Sequence, residues 1–345
     1  MATVTEFTAD ESRAIEEKST IPRLLSVPLA GVGVGIAALG YGRENPWLGA
    51  MIALFTASMM FCWTSALHEA AHQTLWKNRF ISVWVGRLLG TLMWTPYTSY
   101  RETHIRHHAY LNTPRDWELW PYSDPNASLG FRRAFVWFDL LLGIAAGPIV
   151  YGRIYFHPKS PLTDPKVRRS VMLEYIGIVV VWGAIWAYTS YAGLWGEHLR
   201  CILLPMYIAA VWQTGRKFTE HLGMASYDPL LGTRTVLPQK WLLKLASWLN
   251  FDIFIHGPHH RHPRVAHNTL GTRMEDYQAQ NPDIDYPVYH NYWQATWAML
   301  PSMFRNPGCG QNAGAVEDAD QFEDVENFVS DVVEEVLQEQ PQAVR

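Results

Sequence analysis

Apolar runs long enough to cross a bilayer constrain this chain most. Leu24–Tyr41 and Trp47–Leu67 come first, joined by a turn through Gly42-Arg43-Glu44-Asn45-Pro46, and Val171–Tyr191 and Leu199–Trp212 follow, joined by a short loop around Gly193–His198. The first two are close to the ~20 residues that carry a helix through ~30 Å of hydrocarbon, where only internally hydrogen-bonded structures survive, and all four are read as spans. Ile81–Tyr97 is interrupted by Arg87, and Ala134–Tyr151 contains Asp139; a charge inside lipid is costly, so both are read as interfacial and not spanning. Composition agrees, since 48% of residues are hydrophobic and only 17% charged, which is charge-poor for a soluble enzyme. The sixteen Trp and sixteen Tyr suit rings anchored at membrane interfaces.

Charge placement sets the orientation. Lys77, Arg79, Arg101, Arg106, Arg132, Arg133, Lys159, Lys166, Arg168 and Arg169 lie between the second and third spans, whereas the two short loops on the other side carry Arg43 and Arg200. Lys and Arg accumulate on the cytosolic side, so about four spans with both termini in the cytosol are expected. Every segment after an even-numbered span then faces one compartment.

The expected fold is therefore all-α: a multi-pass transmembrane helical bundle under a cytosolic helical cap. Residues 1–20 form a polar N-terminal segment without the basic and apolar stretches of a cleaved signal peptide. Residues 21–306 form the membrane and catalytic domain, and residues 307–345 an acidic tail. Within that tail Val325, Phe328, Val329, Val332, Val333 and Val336 recur at helical spacing and predict an amphipathic helix. The net charge of -4 argues against a general nucleic-acid binder. Cys62, Cys201 and Cys309 make neither a disulfide framework nor a thiolate knuckle.

Histidine carries the chemistry. His68-Glu69-Ala70-Ala71-His72 follows the second span, His104-Ile105-Arg106-His107-His108 is the second cluster, and His256-Gly257-Pro258-His259-His260 the third. Residues three and four apart share a helix face, so such imidazoles reach a common metal. With 14 histidines in 345 residues, chance would place an HxxHH pattern about 0.02 times in such a chain, and it occurs twice. Eight imidazoles are too many for one ion and enough for two. His221, just beyond the fourth span, is the expected ninth.

Two other metal chemistries fit part of the pattern. His68-Glu69-x-x-His72 matches the HExxH motif of an integral membrane zinc protease, but that site needs three ligands and leaves most of the other clusters without a role. A soluble di-iron carboxylate bundle needs two Glu-x-x-His motifs and two further glutamates, and only Glu69–His72 fits. The histidines also lie beyond the ends of the apolar runs, which disfavours a transport pathway.

An HxxxH box followed by two HxxHH boxes resembles the membrane fatty-acid desaturase and hydroxylase superfamily, over roughly residues 40–275. His107–Asp116 is similar to the family's Asn-and-Asp stretch after the second box, and His259–Val265 to its segment after the third. The resemblance implies that His68, His72, His104, His107, His108, His221, His256, His259 and His260 ligate two iron ions. It further implies that these, with dioxygen as co-substrate, oxidise an unactivated C–H bond of a lipid. Fatty-acyl desaturation is the expected reaction, because the segment after the third box is closer to acyl desaturases than to alkane hydroxylases. Hydroxylation or ketolation of a carotenoid or alkane is the alternative at the same centre. No residues beyond the ligands are assigned to catalysis.

Pro258 departs from a regular third box and predicts that His256 approaches from a loop. Glu69, Glu102, Asp116, Glu220 and Asp252 are candidates for orienting ligand rings. His157, His198, His262, His267 and His290 are read as non-ligands. No haem-attachment motif, fused cytochrome b5 signature or nucleotide fingerprint is found, so a separate ferredoxin, rubredoxin or cytochrome b5 is expected to deliver electrons.

Overall fold

The computed structural model describes residues 44–315, apart from 77, 264 and 266, together with residues 31, 33–35 and 38. The expected first span, the polar N-terminal segment and the amphipathic helix of the tail lie outside these, save for the few positions named within 31–38.

The first long helix, α1 (Pro46–His72), is started by Asn45, whose side chain accepts from the amides of Trp47 and Leu48, with Pro46 in the first turn. Both devices satisfy or dispense with amides that a helix start leaves unpaired. The helix ends where Gln73 turns left-handed at φ 60. Its outer half exposes Trp47 and Met51, while every residue from Ser65 to Ala71 is buried.

After α1 come α2 (Arg79–Leu92), α3 (Tyr97–Ala109), α4 (Leu129–Leu141) and α5 (Gly143–Phe156). The apolar stretches around α2 and α4–α5 are thus broken into helices of 13 or 14 residues, about 20 Å each at 1.5 Å per residue and too short to span. Gly86 lets α2 approach the Tyr97 ring, with which a Cβ there would collide.

The next helix, α6 (Pro165–Tyr191), is apolar yet exposed along most of its length. Val179 is 70% exposed and Val180 63%, an arrangement whose natural solvent is lipid and not water. By length and composition α1 and α6 are the two helices among the described residues able to cross a membrane. The run Leu199–Trp212 is helical throughout: the short α7 (Trp195–His198) leads without a break into a π-turn at Leu199–Leu203 and then α8 (Leu204–His221), whose last turns carry Arg216, Lys217 and Glu220.

Beyond α8, β1 (Thr235–Val236) pairs in parallel with β2 (Val288–Tyr289), Thr235 opposite Val288. Between them lie α9 (Trp241–Leu249), α10 (His256–Arg261) and α11 (Leu270–Gln280), and α12 (Tyr292–Arg305) follows. Exposed Trp241, Leu242 and Trp248 on α9 and Trp293, Trp297 and Phe304 on α12 give both helices faces suited to a membrane interface. The described region is all-helical apart from that two-residue ladder.

The core of the described residues gathers into four clusters, of which two are the largest. One gathers Tyr122, Phe135, Val136, Ile154, Phe218 and Met299; the other packs Ala66, Leu67, Ala70, Leu89, Tyr97 and Phe251 around the inner end of α1. Residues 307–315, at the start of the expected tail, are tied to this body. Cys309 donates its amide to Tyr122, Gly310 its amide to Met224, and Asn312 its side-chain amide to the carbonyls of Tyr122 and Asp124.

Candidate metal centre

Helix ends bring the histidines together. His68 and His72 lie on the last turn of α1, His104, His107 and His108 on the second half of α3, His221 at the end of α8, and His256, His259 and His260 on α10. All are buried except the partly exposed His72. They form two adjoining groups. Ligand atoms of His68, His72, His104, His108 and His259 lie within 4.8 Å of one another, as do those of His107, His221 and His260. His256 joins the second group, with its Nε2 2.8 Å from that of His221 and 3.1 Å from that of His260. The groups meet where the rings of His108 and His260 stack at 4.0 Å.

Each HxxHH box is shared between the groups. In the second box the i, i+4 pair His104 and His108 enters the first group and His107 the second; in the third box the pair His256 and His260 enters the second group and His259 the first. A helix places i and i+4 on one line and turns i+3 aside, so one box supplies two neighbouring points. The expectation that His256 approaches from a loop is corrected. His256 is the first residue of α10, so Pro258 falls in the first turn, where its missing amide costs nothing.

Hydrogen bonds on the far side of the rings set their tautomers. His104 Nδ1 is 2.9 Å from Glu118, His107 Nδ1 2.8 Å from Asp116, and His256 Nδ1 3.2 Å from the Ile253 carbonyl. These partners only accept, so each Nδ1 carries the proton and each Nε2 lone pair faces inward. His72, His104 and His108 then present Nε2 atoms at 3.1 Å spacings, and His259 Nε2 is buried without a hydrogen bond. Nitrogens about 2.1 Å from one divalent ion would sit about 3 Å apart, so these residues fit a metal in each group.

Burial, then the charge of neighbouring imidazoles, holds His108, His256, His259 and His260 well below the ordinary imidazole range, which keeps them neutral and able to ligate. Burial alone would push the Glu118 carboxyl up, but His104, with His107 and Lys217, together hold Glu118 below its usual range.

The candidate orienting carboxylates divide. Asp116, buried to 1% exposure, holds His107 and also accepts the amides of Asn112 and Leu119. Glu102 instead pairs with Arg101 and Arg106, and Asp252 with His267. Glu69 accepts from the Thr74 hydroxyl at 2.6 Å and stands 3.5 Å from His68 Nδ1, behind the ring. Glu118 was not singled out in the sequence; a carboxylate fourteen positions beyond His104 has no spacing signal, because a loop and not a helix face returns it. His157, His198, His262, His267 and His290 bond elsewhere, to Lys159, Trp186, Tyr277, Asp252 and Gln239.

An Asp116→Asn variant should orient His107 less firmly, because an amide can present its NH2 group to Nδ1. Metal affinity of the second group is expected to fall about 10- to 100-fold, read by Fe2+ titration of the metal-stripped protein.

A cavity of about 330 Å3 opens beside the first group, lined by Met60, Trp63 and Leu67 of α1, Gly143, Gly147 and Tyr151 of α5, and Met206, Ala209 and Gln213 of α8. Its lining includes Glu118 and Tyr100, both in contact with His104, the latter stacked on it at 5.2 Å. Trp182, Ile185 and Cys201 line it as well. Asp139 and Lys217, paired at 2.6 Å, also line it.

A fatty acid desaturase family model matches residues 45–293 of the 345. The chain belongs to the fatty acid desaturase family. It is similar to an sn-1 oleoyl-lipid 12-desaturase of Arthrospira platensis, 22% identical over 289 residues that cover 78% of this chain and 79% of the relative. It is also similar to an sn-1 acyl-lipid omega-3 desaturase (ferredoxin) of Synechocystis sp., 23% identical and covering 67% and 68% of the two chains. A chloroplastic omega-3 fatty acid desaturase of Ricinus communis is 25% identical over 68% of this chain and 55% of its own length. This desaturase-family protein is accordingly a membrane-associated, metal-binding oxidoreductase of lipid metabolism, in a family that uses iron.

Proposed function

We propose that this family member is a di-iron fatty-acyl desaturase. One iron would be held by His68, His72, His104, His108 and His259, the other by His107, His221, His256 and His260. The observation that carries this is the convergence of nine imidazoles into two adjoining groups beside an apolar cavity whose lining includes Tyr100 and Glu118, the neighbours of His104. When bound, the irons supply dioxygen-dependent removal of hydrogen from an unactivated methylene. The protein positions one carbon of a flexible chain beside Tyr100 and Glu118 and keeps water from it. Five imidazoles in one group exceed the three ligands of a zinc protease, and Glu69 is already occupied by Thr74.

The electrons would come from a separate carrier, a ferredoxin, rubredoxin or cytochrome b5; one similar desaturase is named for ferredoxin. The distribution of Lys and Arg supports a four-span arrangement with the histidine groups and both termini on the cytosolic side.

The test is expression in a host lacking polyunsaturated acyl lipids, supplied with a ferredoxin and its reductase, with total acyl chains analysed by mass spectrometry. A new double bond that depends on the protein is the expected product. Hydroxylated or keto products without an alkene would overturn desaturation in favour of the alternative reaction, and purified protein holding a single zinc would overturn both.

A further inference from the structure

We infer that Glu220 supplies a carboxylate ligand to the second metal, so that the two metal positions differ in charge. The inference rests on the two-metal occupancy already proposed.

Glu220 precedes His221 on the last turn of α8 and is 2% exposed. Its Oε1 accepts from the Tyr292 hydroxyl at 3.0 Å. Its Oε2 lies 3.6 Å from His256 Nε2, beyond hydrogen-bonding distance, and forms an ion pair at 3.6 Å with the buried Arg216 guanidinium one turn earlier on α8. Ligand atoms of Glu220, His221 and His256 lie within 4.8 Å of one another.

The decisive relation is between Glu220 Oε2 and His256 Nε2. His256 carries its proton on Nδ1, facing the Ile253 carbonyl, so its Nε2 presents a lone pair. A carboxylate oxygen presents another. Two acceptors that face each other at 3.6 Å in a dry site repel, and a protonated carboxyl would have to close to about 2.7 Å to relieve the repulsion by donating. A cation between them resolves the conflict, because both atoms then become its ligands. The Tyr292 bond holds Oε1 and leaves Oε2 directed at the group, as the partners of ligating carboxylates do elsewhere.

The first metal would then rest among five neutral imidazoles, and the second among four imidazoles and one anion. Oxygen donors favour a harder, higher-valent ion than imidazole does, so the second metal would be the more readily oxidised of the two.

The test uses the full chain in detergent, loaded with 57Fe2+, comparing the wild type with Glu220→Gln, which preserves shape and the Tyr292 contact. The wild type should show two ferrous Mössbauer doublets of equal area and, in infrared spectra of iron-loaded minus stripped protein, a carboxylate stretching band. Glu220→Gln should lose that band and about half of its iron. Retention of both doublets and full iron in the variant would overturn the assignment. If the variant fails to fold, a wild-type difference spectrum without a carboxylate band overturns it equally. A wild type that binds no iron would instead defeat the two-metal proposal beneath it.

Discussion

His107→Ala and His259→Ala are each expected to abolish product formation, by more than about 100-fold, while stripping different irons. Loss of an orienting partner alone costs about 10- to 100-fold, and loss of a ligand costs more. His107 stands in the second group, with its Nδ1 held by Asp116, and His259 in the first, with an Nε2 that has no other partner. Each variant should therefore retain about one iron per chain, bound at the group left whole. The double variant should retain none. The comparison is read by metal analysis of purified protein beside acyl-chain analysis of the host lipids. Loss of the same iron in both single variants, judged by which ferrous signal disappears, would defeat the sharing of each box between two groups.

That sharing marks the limit of what the sequence disclosed. Helical spacing made it plain that His68 with His72, and His104 with His108, act together, because i and i+4 are bound to a common face whatever surrounds them. The approach of α10 to α3, which decides that His259 joins the first group and His107 the second, depends on how two non-consecutive helices meet. Spacing within a box contains nothing about that approach.

Asp116 was legible because it lies in a short segment directly after its ring, whereas Glu118 reaches His104 through a turn whose path depends on tertiary structure. Pro258 misled for the opposite reason: a helix-breaking residue was weighed without knowing that the helix starts only two residues earlier. The run Ala134–Tyr151, read as interfacial on account of Asp139, is divided between two short helices. The break itself falls at Leu142, three residues beyond Asp139, and no glycine or proline immediately precedes it to mark the place.

Gly147→Phe is expected to lower desaturation of long acyl chains by about 100-fold or more while leaving both irons in place. Gly143, Gly147 and Tyr151 recur every four residues on the α5 face that lines the cavity, and a Cβ at Gly147 would meet nothing within 4 Å. The new side chain can therefore enter the cavity without displacing the backbone. An apolar cavity of about 150 Å3 holds a benzene molecule, so a benzyl group would consume nearly half of the 330 Å3 present. A chain forced out of line cannot bring one carbon to the histidine end, and a displacement of about 1 Å already costs about 100-fold in a positioned reaction. Shorter acyl chains should recover part of the activity, because they need less of the cavity beyond the reacting carbon. The measurement is turnover against a series of acyl chain lengths, with iron content determined on the same preparations. Undiminished turnover of long chains with normal iron would show that the substrate lies elsewhere, and the polar pair Asp139–Lys217 would then be a structural tie between α4 and α8 and not part of a substrate wall.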